Sequence, residues 1–167
     1  LKEQAIRDPL TDLYNRRFLH ETLEQELIRA ERTKEPISLA LIDLDHFKNI
    51  NDTFGHDAGD FVLKALAKCL TQKMRQSDVA CRYGGEEFLI IMPGAPLAVA
   101  TTRIDSLRET FSAKTTVVGS HQITATFSAG LAAYPVSGKN ENELLLAADK
   151  ALYEAKAAGR NRVVALA

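Results

Sequence analysis

The stretch RYGGEEFLII, residues 82–91, constrains the fold of this chain more than any other part. Two adjacent glycines, Gly84 and Gly85, lie between strand-like runs at residues 79–83 and 86–92. Because glycine adopts positive φ without steric cost, the pair predicts the two central residues of a tight β-hairpin turn. Two adjacent glutamates follow the glycines, so the hairpin tip is either simply solvated or carries chemistry.

The remaining pattern predicts strands and helices of one domain over residues 1–167. The continuous apolar run at residues 37–43 is typical of a strand covered on both faces. Periodic apolar positions predict helices over 16–34, around the stripe from 63 to 74, over 97–113 and over 141–158, with Gly159 as the last C-cap. Further strands are predicted at 116–118, 121–134 and 163–166, and residues 1–7 are expected to end an upstream linker helix. A hairpin combined with helical crossovers predicts an α+β fold with a largely antiparallel sheet.

Composition argues against several classes of protein. A net charge of −1 gives no overall field for nucleic acid or an anionic membrane, so any phosphate site must be local. The two cysteines, Cys69 and Cys81, form no C-x-x-C motif and are expected to be buried, reduced thiols. No run reaches the ~20 apolar residues that span a bilayer, and no signal peptide is visible. We therefore expect a cytoplasmic domain without membrane contact of its own, in a protein that could be membrane-anchored upstream.

Acidic side chains mark the ends of two predicted strands. Asp43 ends the first strand, and Glu86 and Glu87 begin the strand that follows the glycines. Brought together, these carboxylates would form an oxygen-rich site suited to Mg²⁺, and two such ions are the usual solution for nucleotidyl transfer. Strand-end acids are also commonly just solvated, and Asp45 would equally serve to cap a helix beginning at His46.

The segment after Asp45 offers groups suited to a nucleotide. Lys48 and Asn51 fall near an expected helix start, where free backbone N–H groups favour phosphate oxygens and a lysine adds a point charge. Asp60 begins the next helix, and its carboxylate would match the N1–H and N2–H₂ donors of guanine. Lys48 could equally be an ordinary surface lysine, and Asp60 is favourable at a helix start for dipole reasons alone.

Taken together, these residues resemble the GGDEF-domain family of diguanylate cyclases, in its GGEEF variant. Five blocks in the same order carry the resemblance: DPLTDLYNRR (8–17), DLDHFKNINDTFGHDAGD (43–60), RYGGEEF (82–88), FSAGLA (127–132) and ADKALYEAKAAGRNRV (148–163). The resemblance implies a fold like the palm of nucleotidyl cyclases and some polymerases, with the active site at the hairpin. It also implies the reaction, in which two GTP molecules condense to cyclic di-GMP and release two pyrophosphates.

The resemblance also implies roles for individual residues. The metal ligands would be Asp43, the backbone carbonyl of Leu44, Glu86 and Glu87, holding two Mg²⁺ ions, or Mn²⁺, per active site. Either glutamate is a candidate catalytic base, and Lys48 is a candidate to stabilise the transition state. The implied substrate-binding residues are Phe47, Lys48, Asn51, His56, Asp60, Gly84, Gly85, Lys156 and Arg160. Of these, Asn51 and Asp60 would recognise guanine, His56 would line the site, and Lys48, Lys156 and Arg160 would bind phosphate.

The implied reaction requires two copies of the domain. One GTP per domain leaves each 3′-hydroxyl without a partner in its own chain, so two domains must face each other about a two-fold axis. We therefore expect a homodimer, with pairing controlled by an upstream sensory or regulatory domain. Glycine at 84 and 85 would also let GTP approach the backbone closely.

The R-x-x-D motif of Arg75 and Asp78 lies just before the hairpin. Its simplest interpretation is a surface ion pair between residues three apart. In the resembled family, an R-x-x-D at this offset forms an inhibitory site for the product, cyclic di-GMP.

Three functions therefore follow from the sequence: an active diguanylate cyclase, a non-catalytic module that binds GTP or cyclic di-GMP, and a cyclase with a different nucleotide choice. The intact acids and Lys48 favour the first over the second, and Asp60 disfavours the third.

Overall fold

The structure, a computed structural model, describes residues 5–166. The elements, in chain order, are α1 (Arg16–Thr33), β1 (Ile37–Leu44), α2 (Phe47–Phe54), α3 (His56–Lys73), β2 (Val79–Arg82), β3 (Glu87–Pro93), α4 (Leu97–Ser112), β4 (Thr116–Val118), β5 (His121–Ile123), β6 (Phe127–Tyr134), α5 (Glu141–Ala157) and β7 (Val163–Ala165). Asn15 and Asn140 cap α1 and α5, where each side-chain oxygen accepts a backbone N–H of the first turn.

The main sheet has five strands in the order β2-β3-β1-β6-β7. Strands β3 and β6 flank β1 antiparallel, β2 pairs antiparallel with β3, and β7 is parallel to β6. All eight residues of β1 are buried, as expected of a central strand covered on both faces. The predicted α+β fold with a mainly antiparallel sheet is confirmed.

Alternation along β1 divides the core between the two faces of the sheet. Leu39 and Leu41 belong to a cluster that contains buried residues of α1 and α5. Ala40 and Ile42 belong to the cluster that contains buried residues of α2, α3 and α4. Asp43 has the same parity as Leu39 and Leu41, so the end of β1 presents its carboxylate on the α1/α5 face.

The glycine hairpin forms, but its predicted turn type is wrong. Neither Gly84 nor Gly85 has positive φ. Arg82 pairs with Phe88, and the backbone N–H groups of Tyr83 and Gly84 both donate to the carbonyl oxygen of Glu87, at 2.8 and 3.2 Å. The loop is therefore wider than a two-residue turn, and the Arg82 guanidinium donates to the Gly85 carbonyl within it from Nε (3.2 Å) and Nη2 (2.8 Å).

Two further predictions need correction. The strand predicted over 121–134 is divided, because β5 pairs with β4 in a separate two-stranded sheet while β6 belongs to the main sheet. The helix expected over residues 1–7 does not extend over residues 5–7: Ala5 and Ile6 form a turn, and Arg7 pairs with Tyr14. Residues 1–4 lie outside the described part of the chain.

Both cysteines are free and buried, as predicted. Burial raises the pKa of the Cys81 thiol to about 12, so this thiol stays protonated at neutral pH. No helix within residues 5–166 combines the length and the apolar character that crossing a membrane requires.

Candidate active site

The two strand ends predicted to meet are direct neighbours. Asp43 is paired in register with Glu87, so their side chains lie on the same face of the sheet. The Leu44 N–H donates to the carbonyl oxygen of Glu86 at 3.2 Å, which attaches the hairpin to the end of β1. The structure therefore brings all four predicted metal ligands to one corner of the sheet.

Lys156 of α5 reaches the same corner. Its Nζ lies 2.9 Å from Oδ2 of Asp43, whose residue is only 6% exposed. Burial raises the pKa of Asp43, against the lowering effect of Lys156, and the nearby Asp45 carboxylate adds to the rise while Arg160 opposes it. The lysine thus supplies positive charge beside a buried carboxylate.

Glu86 and Glu87 share this electrostatic environment. Burial, followed by repulsion from Asp43, raises the pKa of both glutamates, and Lys156 partly offsets the rise. A Cβ on Gly84 would lie 2.8 Å from Oε1 of Glu87, so glycine here leaves room for that carboxylate. A Cβ on Gly85 would meet nothing within 4 Å, so the other side of the tip is open.

This corner is chemically suited to Mg²⁺. Its donors are hard oxygens. The pKa values of Asp43, Glu86 and Glu87 are raised first by burial and then by neighbouring carboxylates, and a divalent cation would offset both effects. Within residues 5–166, no three His, Cys, Asp or Glu side chains are grouped closely enough to hold a metal by themselves. Mg²⁺ commonly binds through one or two carboxylates together with substrate phosphates, and the residues present fit that mode.

Helix α2 begins two residues after Asp45, as the phosphate argument requires. Lys48 is exposed in its first turn, and Phe47 packs partly buried against the core. Asn51 is half-buried, and its Oδ1 is a buried atom without a hydrogen-bond partner. A Cβ on Gly59 would lie 1.8 Å from this Oδ1, so glycine makes room for the amide of Asn51 beside the first turn of α3.

The other predicted substrate residues lie at exposed positions near these elements. His56 begins α3, and Asp60 immediately follows Gly59, the glycine that faces Asn51. Arg160 is exposed in the connection from α5 to β7, with φ of +64°. Its charge acts on Asp43. Neither His56 nor Asp60 forms a hydrogen bond or an ion pair with Asp43, Glu86 or Glu87.

Asp45 organises the corner from within. It is 5% exposed, and its carboxylate accepts hydrogen bonds from the hydroxyls of Thr126 and Ser128, both at 2.7 Å, and from the Asn161 N–H at 3.0 Å. These contacts account for its burial and tie the Arg160–Asn161 connection to the start of α2. The side chain is therefore a structural anchor, and His46, not Asp45, is the N-cap residue of α2.

The hairpin tip has a support that the sequence did not indicate. Besides its contact with the Gly85 carbonyl, Arg82 donates from Nη1 to Oδ1 of Asp8, at 3.3 Å, in the segment before α1. Asp8 in turn accepts the N–H and the hydroxyl of Thr11, both at 2.8 Å. The DPLT and RYGGEEF blocks were both visible in the sequence, but nothing there showed that they touch.

The R-x-x-D segment has a geometry different from a surface ion pair. Asp78 is buried, and its Oδ2 accepts the backbone N–H of Arg75 at 2.9 Å. Its ionic partner is Arg103 of α4, not the Arg75 side chain. The simple interpretation of an Arg75–Asp78 salt bridge is therefore wrong.

Comparison with known proteins defines the class of fold. Two solved structures superpose over 99% of this chain: the diguanylate cyclase SiaD of Pseudomonas aeruginosa in complex with its activator SiaC (TM-score 0.93, 38% identity, 63% of that chain) and the coiled coil and GGDEF domain of DgcB of Caulobacter crescentus in complex with c-di-GMP (TM-score 0.91, 34% identity, 87% of that chain). The fold is thus the palm-like fold of nucleotidyl cyclases, as predicted.

The particular family is also defined. The family described as diguanylate cyclase, GGDEF domain, matches residues 5–162, and the chain belongs to it. The response regulator PleD of Caulobacter vibrioides is 44% identical over 164 residues, which are 97% of this chain and 36% of that relative. The chain therefore spans about a third of the length of this curated relative.

Proposed function

We propose that this domain is a diguanylate cyclase, which joins two GTP molecules into cyclic di-GMP and releases two pyrophosphates. The observation that carries the proposal is the pairing of Asp43 with Glu87 at the glycine hairpin, with Lys156 at their side. A domain that only bound a nucleotide would have no need to bury repelling carboxylates at such a corner.

The α2–α3 region would hold the guanine. The N1–H and N2–H₂ groups of guanine are donors that adenine lacks on that edge. The Asn51 amide would accept one of them after a side-chain rotation that exposes its Oδ1, which is buried against Gly59 in the free domain. Asp60, one residue beyond the glycine that faces Asn51, would accept the second set of hydrogens. Phe47 and His56 would border the base.

The phosphates would lie between α2 and α5, over the open side of the hairpin. Lys48 and the N–H groups of the first turn of α2 would bind from one side, and Lys156 and Arg160 from the other. The open space at Gly85 would let the triphosphate approach the backbone.

The acids would hold two Mg²⁺ ions, through Asp43, the Leu44 carbonyl, Glu86 and Glu87. When bound, the ions would offset phosphate charge and lower the pKa of the attacking 3′-hydroxyl. One of the two glutamates, Glu86 or Glu87, would accept the proton of that hydroxyl. Lys48 would stabilise the negative charge that builds up on the α-phosphate in the transition state.

Catalysis requires a homodimer in this proposal. Each domain presents one nucleotide, so the 3′-hydroxyl of one must meet the α-phosphate of the other across a two-fold axis.

The R-x-x-D segment would bind the product as an inhibitor, through the Arg75 guanidinium and the Asp78 carboxylate.

We further propose that residues 1–167 are one domain of a larger regulatory protein and act in the cytoplasm, where GTP is available. Support comes from the relatives: PleD is a response regulator of which this chain covers 36%, and the DgcB structure joins a GGDEF domain to a coiled coil.

The decisive experiment is product analysis after incubating the chain with GTP and Mg²⁺, with ATP in parallel. We expect cyclic di-GMP from GTP alone, and loss of turnover by at least about a hundredfold in Glu87→Gln, since the acid acts on the reacting centre. Glu21→Gln, which changes an exposed acid of α1, is the matched control.

The alternative is a non-catalytic module that binds GTP or cyclic di-GMP. Tight binding of either nucleotide without turnover, even at high protein concentration or with an attached dimerising domain, would establish the alternative and reject the cyclase.

A further inference from the structure

Asp78 is covered to a degree that is unusual for a loop carboxylate. Its side chain is 1% exposed, and Oδ2 already accepts from the Arg75 backbone N–H and from Nη2 of Arg103. The second oxygen, Oδ1, is buried without a partner. No lone pair of Oδ2 is readily available, and Oδ1 is out of reach of a ligand in solution.

The Arg103 guanidinium is held on one side only. Its Nη1 is also buried without a partner. The side chain belongs to the lining of a small cavity between α3, β3 and α4, whose other walls include the apolar residues Leu70, Met74, Ile90, Ile104 and Leu107. The pair thus leaves one polar atom unsatisfied on each partner, which costs free energy and makes the contact easier to exchange than a bidentate one.

We propose that Arg103 is a cap that competes with the product for Asp78, and so sets the affinity of the inhibitory site. This inference rests on the R-x-x-D product site of the proposed function. Guanine N1–H and N2–H₂ can satisfy both carboxylate oxygens of Asp78 only after the guanidinium has withdrawn, because Arg103 now occupies Oδ2 and covers the carboxylate.

The apparent Kd for the product would equal the Kd of the open state divided by the fraction of molecules in which the cap is open. If the capped state holds about nine-tenths of the population, removing the cap strengthens product binding about tenfold. A residue that bound the product directly would have the opposite effect, so the sign of the change separates the two roles.

The test is calorimetric titration of the metal-free chain with cyclic di-GMP. Arg103→Gln should bind about tenfold more tightly than the parent, and Arg103→Lys, which keeps the charge but lacks the guanidinium fork, should fall between them. Asp78→Asn should lose binding. The control is Arg108→Gln, which removes the same charge from α4 but contacts Asp105, Glu109 and Asn161, none of them in the R-x-x-D segment.

The proposal that Arg103 is a cap is rejected if Arg103→Gln binds cyclic di-GMP no more tightly than the parent. It is also rejected if neither protein binds cyclic di-GMP. If Arg103→Gln does not fold, as judged by its thermal melt, the same criteria apply to Arg103→Lys. GTP turnover is measured on the same preparations: tighter binding without turnover would reject the cyclase but keep the cap, and turnover without tighter binding would do the reverse.

Discussion

At the residue scale, the candidate site depends on side chains that hold backbone as much as on side chains that face a substrate. Arg82 is the main example, because one guanidinium contacts both the carbonyl of Gly85 and the carboxylate of Asp8. The loop that carries Glu86 and Glu87 is therefore held from outside its own hairpin. Its shape does not follow from glycine alone.

Replacing Arg82 should loosen this loop without removing any proposed ligand. We expect Arg82→Gln to lower the free energy of unfolding by about 1–2 kcal/mol, since it loses charge-assisted hydrogen bonds at a half-buried position. GTP turnover should fall more than the apparent affinity for GTP, because the glutamates are displaced. Urea unfolding and steady-state kinetics measure the two effects. Arg29→Gln, at an exposed position of α1, is the control, and an Arg82 variant with normal kcat would contradict this role.

Asp8 should make stability depend on pH in a defined direction. Burial acts to raise its pKa, but hydrogen bonds from Thr11 and the charge of Arg82 outweigh it and hold the pKa below the usual 3.8. A depressed pKa stabilises the folded state above the unfolded value of 3.8 and loses that contribution as pH falls through the folded pKa.

The comparison of the parent with Asp8→Asn tests this sign. The parent should be more stable at neutral pH, and the difference in urea midpoint should shrink as the pH is lowered toward about 3. Asp52→Asn, which changes an exposed acid of α2, is the control for removing one carboxylate from the surface. A difference that grows on acidification would refute the assignment.

At the element scale, the position of α5 depends on one glycine in the sheet. A Cβ on Gly130 of β6 would lie 2.2 Å from the Ala148 carbonyl oxygen and 2.2 Å from the Leu152 nitrogen. These are backbone atoms of a helix, which cannot move aside like the end of a flexible side chain. Helix α5 also carries Lys156, so this close packing affects the site.

Gly130→Ala should therefore be costly. We expect at least about 2 kcal/mol of destabilisation, from overpacking against backbone, together with reduced turnover as Lys156 moves away from Asp43. Chemical unfolding gives the first quantity and a GTP assay the second. Gly85→Ala is the control for stability alone, since its Cβ would meet nothing within 4 Å and its φ is not positive. Equal stability of the two variants would show that α5 adapts freely.

The sequence was sufficient for contacts that follow from strand pairing. Asp43 and Glu87 could be placed together because adjacent strands of a sheet bring their ends together, and apolar periodicity located the long helices. Contacts made by long side chains across the fold could not be predicted in this way. Arg82 contacts the Gly85 carbonyl inside the wide hairpin loop, and buried Asp78 is paired with Arg103, 25 residues further along the chain. Secondary-structure propensity and the spacing of residues do not show which distant residue a long side chain will contact.

At the scale of the whole molecule, the proposed reaction is a meeting of two copies. Nothing in one domain can supply both the attacking hydroxyl and the α-phosphate it attacks, so the folded chain is half of the catalytic unit in this proposal. Its net charge of −1 neither drives nor strongly opposes pairing.

Dilution should expose this dependence. Initial rates at saturating GTP should rise with the square of the chain concentration at low concentration and become linear once dimers predominate, because a second-order step precedes chemistry. Rates measured over a dilution series, beside sedimentation of the same samples, provide the check. Rates strictly proportional to concentration over the whole series, with a monomer seen by sedimentation, would exclude a catalytic homodimer.

The Asp8–Arg82–Gly85 bridge bears on how this domain can be cut and joined to others. A fragment beginning at Arg16 would keep every residue proposed to touch GTP or metal and still lose Asp8, one of the two attachments of Arg82. In a fusion protein whose partner is joined directly to Arg16, the partner would have no connection through Asp8 to the hairpin. If the partner is joined before Asp8, a movement of the partner can reach the loop that carries the two glutamates through the contacts from Asp8 to Arg82 and from Arg82 to Gly85.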